Sequence, residues 1–258
     1  MINKVNSFLS AQLGLDFLRF LRAFLALPNY FLDLWRFQRG NIQKIVLRPC
    51  LHDRGEEAGT TRGEYFWQDL YIARKIYREQ PIRHVDVGSR FDGFVAHVAS
   101  YRELEVIDIR PIQAVVPGVQ FRQMDMMSDK LSMESYCDSL SCLHSLEHFG
   151  LGRYGDTLDQ DGHIKGLRNL VKLLQPMGRF YLSVPVGIER IEFNANRVFC
   201  PEKMLALAEK MGLFLEGLGW IAGDNPVIES RDPLADIQHL KKMQYALGIF
   251  VFIKQTKN

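Results

Sequence analysis

The sequence predicts an α/β domain on a mostly parallel sheet with helices on both faces. Three observations carry this. From residue 83 onward, short apolar runs of strand length alternate with helical patterns. The first run, His84-Val85-Asp86-Val87-Gly88-Ser89, is a strand that ends in a tight turn. The second, Glu105-Val106-Ile107-Asp108-Ile109-Arg110-Pro111, ends in an acid 20 residues after Gly88. A carboxylate at the tip of a second strand can accept protons from both ribose hydroxyls.

The elements follow in order. Residues 7–37 read as one amphipathic helix, with Leu13, Phe17, Leu21, Phe24 and Leu25 on one face and Asp16, Arg19, Ala23 and Ala26 on another. Its apolar face is expected to pack on the domain or on a second copy, because basic residues are few. A peripheral membrane contact is the alternative. Residues 48–60, with Pro49, Gly55 and Gly59, form a linker. The division is therefore 1–60, a helical extension with its linker, and 61–258, the sheet domain. Thr61-Arg62-Gly63-Glu64 fits a capping box opening a helix over 65–79, with Phe66, Leu70, Ala73 and Tyr77 on its inner side. Pro81 ends it.

Strands are expected at 83–88, 104–109, 119–122, 136–143 and 179–185, with helices at 92–100 and 163–174. A helix at 201–211 has Pro201 in its first turn. Strands at 213–221 and 246–253 lack a regular crossover helix, so they should close one edge in antiparallel fashion.

Composition narrows the class. The chain of 258 residues is 47% hydrophobic, enough for a core. A net charge of +2 indicates no nucleic-acid partner. Cys50, Cys137, Cys142 and Cys200 form no C-x-x-C pair and are expected to be buried free thiols. Asp16, Arg19 and Arg22 interrupt the apolar N-terminal run, so no secretory signal is read. The uncharged stretch 23–32 is too short to span a bilayer. A cytoplasmic protein is expected, peripheral to the inner membrane face if the first helix meets lipid.

The strand ends point to a crevice. Gly88 allows close backbone approach to a ligand, Asp108 would hold a ribose, and Asp125 could accept from an adenine amino group with Met126 packed on the ring. Ser89 and Ile109 flank these positions. No phosphate cradle is present, and Asp92 beside the first helix is a poor neighbour for a pyrophosphate. This disfavours NAD and NADP and suits S-adenosylmethionine, which has no phosphates and carries positive charge.

His144-Ser145-Leu146-Glu147-His148 has the H-x-x-E-H spacing. On a helix it would bind zinc with Glu147 as base, as in a metallopeptidase. The flanking strand and the glycines at 150, 152 and 155 oppose that reading, so no metal is expected. The preferred reading puts His144 or His148 over the crevice as a general base. In the following loop Arg153 and Tyr154 could meet an anionic or hydroxyl-rich substrate, and Asp156 could bond sugar hydroxyls or brace Arg153.

Asp86-Val87-Gly88-Ser89, Val106-Ile107-Asp108-Ile109-Arg110-Pro111 and Cys142-Leu143-His144-Ser145-Leu146-Glu147-His148 together resemble a class I S-adenosylmethionine-dependent methyltransferase. So does Leu174-Gln175-Pro176-Met177-Gly178 with the strand after it. More narrowly, Tyr65-Phe66-Trp67-Gln68-Asp69-Leu70, Gly150-Leu151-Gly152-Arg153-Tyr154-Gly155-Asp156 and Phe193-Asn194-Ala195-Asn196-Arg197-Val198-Phe199 resemble a bacterial methyltransferase-like family of unknown function. That family is met beside genes for surface polysaccharides.

The resemblance implies a Rossmann-like sheet of seven strands in the order 3-2-1-4-5-7-6. It also implies contacts to S-adenosyl-L-methionine at Asp86, Gly88, Asp108 and Asp125. The second and third glycines of the usual first turn are missing. The function expected is O-methylation of a sugar or glycan precursor in surface polysaccharide biosynthesis, the partner being a small-molecule or glycan acceptor. A catalytically silent, methyltransferase-like binding module is the alternative.

Overall fold

The computed structural model describes residues 6, 9–10, 13–39, 43–51, 53–54 and 58–256. The chain divides into two compact units, Met1–Thr60 and Thr61–Asn258. In the first, helix α1 spans Phe17–Gln38. The expected single helix over 7–37 is broken before it. Gly14 takes φ 69°. Asp16 then caps α1, its carboxylate accepting from the Arg19 N–H at 2.9 Å. Residues 7–8 and 11–12 of that expectation lie outside the described residues.

The second unit opens with α2, Glu64–Glu79. The expected capping box is not formed. The N-cap is Gly63 at φ 86°, and its N–H donates to Asp224 instead. Glu64 accepts from the Tyr245 hydroxyl at 2.6 Å. The inner side also differs from expectation: Gln68, Asp69, Ile72, Ala73 and Ile76 are buried, whereas Leu70 and Tyr77 are exposed. The buried row includes two polar residues, which an apolar pattern cannot register.

An eight-stranded sheet follows: β1 His84–Val87, β2 Leu104–Asp108, β3 Val119–Gln123, β4 Cys137–Leu143, β5 Leu174–Val186, β8 Leu213–Ile221, β9 Ile228–Glu229 and β10 Ala246–Lys254. Its order is β3-β2-β1-β4-β5-β10-β8-β9. The first five are parallel neighbours, and β10 runs antiparallel to both β5 and β8. Apart from the short edge strand β9, this is the expected seven-strand order in a Rossmann-like methyltransferase fold. Strands β6, Arg190–Glu192, and β7, Asn196–Val198, pair separately as a small hairpin that periodicity did not indicate.

Helices cover both faces. On one, α2 and the short α3, Ala96–Ala99, pack Ile72, Ile76 and Val98 against Val106, Ile249 and Val251. On the other, α4 Gly162–Leu173, α5 Pro201–Lys210 and α6 Pro233–Leu240 contribute Leu167, Leu170, Met204 and Ile237 to a core with Val85, Leu140 and Leu182. The helix expected at 92–100 is shorter. Phe91–Val95 is a wide turn with Gly93 outside helical geometry, and a Cβ on Gly93 would lie 2.4 Å from Asp69 Oδ2. Cys137 and Cys142 are buried as expected, but Cys50 is exposed and Cys200 half-buried.

Candidate active site

A cavity of about 260 Å³ opens at the carboxyl ends of β1, β2 and β4 and the residues following β3. This is where open parallel sheets place their ligands. Gly88, Asp108, Ile109, Asp125, Met126, His144, His148, Arg153, Tyr154 and Asp156 all line it. Asp86, Ser89 and Glu147 do not line it.

Asp86 is fully buried beneath the first turn. Its carboxylate accepts from the Ser89 N–H at 3.1 Å and the Ser89 hydroxyl at 2.7 Å, and from the Ser141 hydroxyl. Ser141 in turn faces His84 Nε2 at 3.1 Å, and His84 Nδ1 faces Ser139 Oγ at 2.8 Å. Burial, with the nearby Arg102 charge, holds His84 neutral, its pKa down at about 3. A single chain of donors fits: Ser139 to His84, His84 to Ser141, and Ser141 to Asp86. Asp86 and Ser89 thus shape the turn from inside.

Burial raises the Asp86 pKa to about 7, against the hydroxyl and N–H bonds that favour its charge. An acid whose folded pKa is raised stabilises the fold fully below its unfolded value and loses that contribution as pH rises through the folded one. Unfolding free energy should fall between about pH 4 and 7, with this group adding a slope of up to about 1.4 kcal/mol per pH unit. Urea melts across that range check it, and D86N should flatten the slope.

Gly88 takes φ 79°, and a Cβ there would lie 2.1 Å from Ser145 Oγ. The glycine thus lets the turn approach the end of β4 closely. Asp108 is buried, but both its oxygens are held by Arg110: Oδ1 by the backbone N–H at 2.8 Å and Nε at 3.0 Å, and Oδ2 by Nη2 at 2.5 Å. The Arg110 guanidinium also lies 4.4 Å from the centre of the Tyr154 ring. It closes over the carboxylate that would meet a ribose. Asp125 uses Oδ1 to accept from the Met127 N–H at 2.8 Å. Ile107, Met124 and Met126 make the wall beside it apolar.

Asp92 requires a correction. It is exposed and does not line the cavity; its oxygens are taken by Arg90 at 2.9 and 2.5 Å. Arg90 is the member of the pair that lines the cavity. Asp92 therefore does not oppose a pyrophosphate in the cavity; only the lack of a glycine-rich cradle does.

The two histidines separate clearly. His144, at φ 50°, stacks on Tyr65 with ring centres 4.5 Å apart. Its Nδ1 meets Glu147 Oε1 at 3.0 Å, and its Nε2 lies 3.3 Å from Glu64 Oε1. Burial pulls its pKa down, but the Glu147 hydrogen bond and the Glu147, Glu64 and Asp69 charges outweigh it, and the net shift is upward. A ring set between two carboxylates holds its proton and is a poor acceptor. Glu147 itself is fully buried, with Oε2 unpartnered.

His148 is the opposite case. Its Nδ1 faces the Ala195 carbonyl at 2.7 Å. A carbonyl only accepts, so Nδ1 carries the hydrogen and Nε2 keeps the lone pair. Burial lowers its pKa, and Arg153 adds to this against the Glu147 charge. Nε2 is 3.8 Å from Glu147 Oε1, beyond a hydrogen bond. Leu146–His148 form one 3-10 turn, so the two rings do not share an α-helical face as the zinc reading requires. Among the described residues no group of three or more side chains is placed to hold a metal.

The loop after His148 is held by Asp156 from within and by Arg197 across its ends. Asp156 does not brace Arg153. Its oxygens accept from the N–H groups of Gly150 at 2.8 Å, Gly152 at 3.2 Å and Tyr154 at 3.2 Å. Arg153 donates to the Ala195 carbonyl at 2.8 Å. Arg197 is buried and spans the carbonyls of Phe149 at 2.6 Å, Glu147 at 3.3 Å, Gln160 at 3.3 Å and Asp159 at 3.5 Å. Its motif was visible, but only the fold brings these carbonyls together. Tyr65, Arg90 and Arg110 likewise line the cavity without having been singled out.

Comparison with known proteins agrees with the fold. The profile of a family described as Caenorhabditis protein of unknown function, DUF268, matches residues 119–246. This stretch holds His148, Arg153 and Arg197, and its description names no polysaccharide context and no activity. No curated protein matches the chain. Among solved structures, the [4+2]-cyclase SpnF aligns at a TM-score of 0.51 and 13% identity, covering 78% of this chain and 86% of its own. A putative sarcosine dimethylglycine methyltransferase from Galdieria sulphuraria aligns at 0.50 and 11%, covering 73% and 85%. The chain has the class I methyltransferase fold. That fold is shared by proteins named for different reactions, so activity is argued from the site.

Proposed function

We propose that the protein is an S-adenosylmethionine-dependent methyltransferase that methylates a hydroxyl of a sugar or glycan precursor, in the making of surface polysaccharide. The observation that carries this is the convergence of Gly88, Asp108, Asp125 and His148 on one cavity at the strand ends. Three guanidinium groups, Arg90, Arg110 and Arg153, and three carboxylates, Asp108, Asp125 and Asp156, line it. That balance suits a ligand bearing both charges of an amino acid. The site fits the cofactor on one condition. With Arg110 on Asp108 the volume is about 260 Å³, just below the roughly 300 Å³ at which small-molecule pockets begin. Turning the Arg110 side chain off the carboxylate frees Oδ2, leaves Oδ1 with the backbone N–H alone, and opens the space.

S-adenosylmethionine supplies an activated methyl group on a sulfonium. Asp108 would hold the ribose hydroxyls, Asp125 the adenine amino group, and Ile107, Met124 and Met126 the ring faces. Arg153 and Tyr154 would meet the acceptor. His148 Nε2 would take the hydroxyl proton, with Nδ1 anchored on Ala195 so that the lone pair is fixed.

Because the His148 pKa is lowered, the base stays unprotonated below its ordinary value of about 6.5 and activity should fall only on the acid side of that. H148Q should lower kcat by about 100-fold or more and remove this acid limb, with cofactor affinity retained. A rate–pH profile on glycan acceptors, paired with calorimetry on S-adenosylhomocysteine, reads both. A folded protein that takes up S-adenosylhomocysteine but transfers no methyl to any acceptor would favour the silent binding module.

A further inference from the structure

Helix α1 presents a second surface. None of its residues is buried. At 100° per residue, Phe17, Phe20, Phe24, Leu25, Phe31 and Trp35 fall on one half of the cylinder. Each is between 51% and 67% exposed. Arg19, Arg22, Asn29, Asp33 and Arg36 fall on the other half, with one exposed aromatic, Phe37, among them. Over residues 16–39 four arginines stand against two acids. Of those acids, Asp16 is used as the helix cap, and Asp33 is paired with Arg54 at 2.7 Å. The Arg39 guanidinium lies 3.5 Å over the Trp35 ring, so an aromatic and a cation sit together at the C-terminal end of the helix.

We infer that α1 is an interfacial helix that lays its apolar half into the surface of a membrane containing anionic lipid. These exposed apolar side chains span about 140° of arc, wider than the narrow seam by which two helices pair. A partner helix would leave much of it in water. A lipid surface covers it all, takes Phe and Trp side chains at the acyl boundary, and meets the surplus arginines with anionic headgroups. No described helix is long and apolar enough to cross a membrane. The interfacial role differs from the packed role expected from the few basic residues of α1. The inference is independent of the catalytic reading.

Flotation of the full chain with phosphatidylcholine vesicles, with and without about one-third phosphatidylglycerol, tests it. The protein should float, more strongly with the anionic lipid. F20E/F24E should lower the bound fraction at least about tenfold, while N29Q on the polar half changes it by less than about twofold. Circular dichroism of each variant checks folding. Three results would overturn the inference: no flotation on either lipid, flotation untouched by F20E/F24E, or a dimer that does not float and that F20E/F24E converts to monomer. The last assigns the face to a second copy.

Discussion

Replacing Asp108 with alanine removes S-adenosylhomocysteine binding by about 100-fold or more. The size follows from two charge-assisted hydrogen bonds to the ribose, each worth roughly 1.5–3 kcal/mol, less the attraction to Arg110 that the ligand must displace. Calorimetry measures the loss. The same substitution should leave thermal stability close to wild type, because Arg110 is partly exposed and can return to water. R110A supplies the complementary reading. With no guanidinium over Asp108, the carboxylate is open and affinity should rise. A fall would give Arg110 a direct part in holding the ligand.

The second large effect is on stability. Arg197→Met keeps a flexible apolar stem and removes the donors that join four carbonyls. Those carbonyls lie on both ends of the loop that carries Arg153, Tyr154 and Asp156. Leaving buried carbonyls unpaired should cost about 3–4 kcal/mol, which is roughly 10 °C in Tm for a domain of this size. Scanning calorimetry reads this. Acceptor affinity should fall too, since the loop then no longer holds Arg153 and Tyr154 in place.

Patterns local in the chain were readable from it. The strand Leu213–Ile221 has the expected bounds, and the alternation of strands and helices predicted the parallel sheet with its antiparallel edge. Spacing alone brought Gly88, Asp108 and Asp125 together, because strand ends in a parallel sheet lie on one side. What failed depended on distant partners. Asp224 meets the Gly63 N–H and Tyr245 meets Glu64, so the Thr61 capping box has no part to play. Ser141, 55 residues away, draws Asp86 inward. The two histidines looked alike in H-x-x-E-H. They differ because Glu64 approaches one ring and the Ala195 carbonyl the other. Arg197 was invisible as a clamp because carbonyl groups carry no sequence signal.

The most direct test of the central claim is a crystal structure with S-adenosylhomocysteine. The ribose hydroxyls should lie on Asp108, the adenine beside Asp125, and Arg110 should be turned off the carboxylate. Crystals in excess ligand with the crevice unoccupied and Arg110 still on Asp108, or with the ligand bound elsewhere, would contradict it.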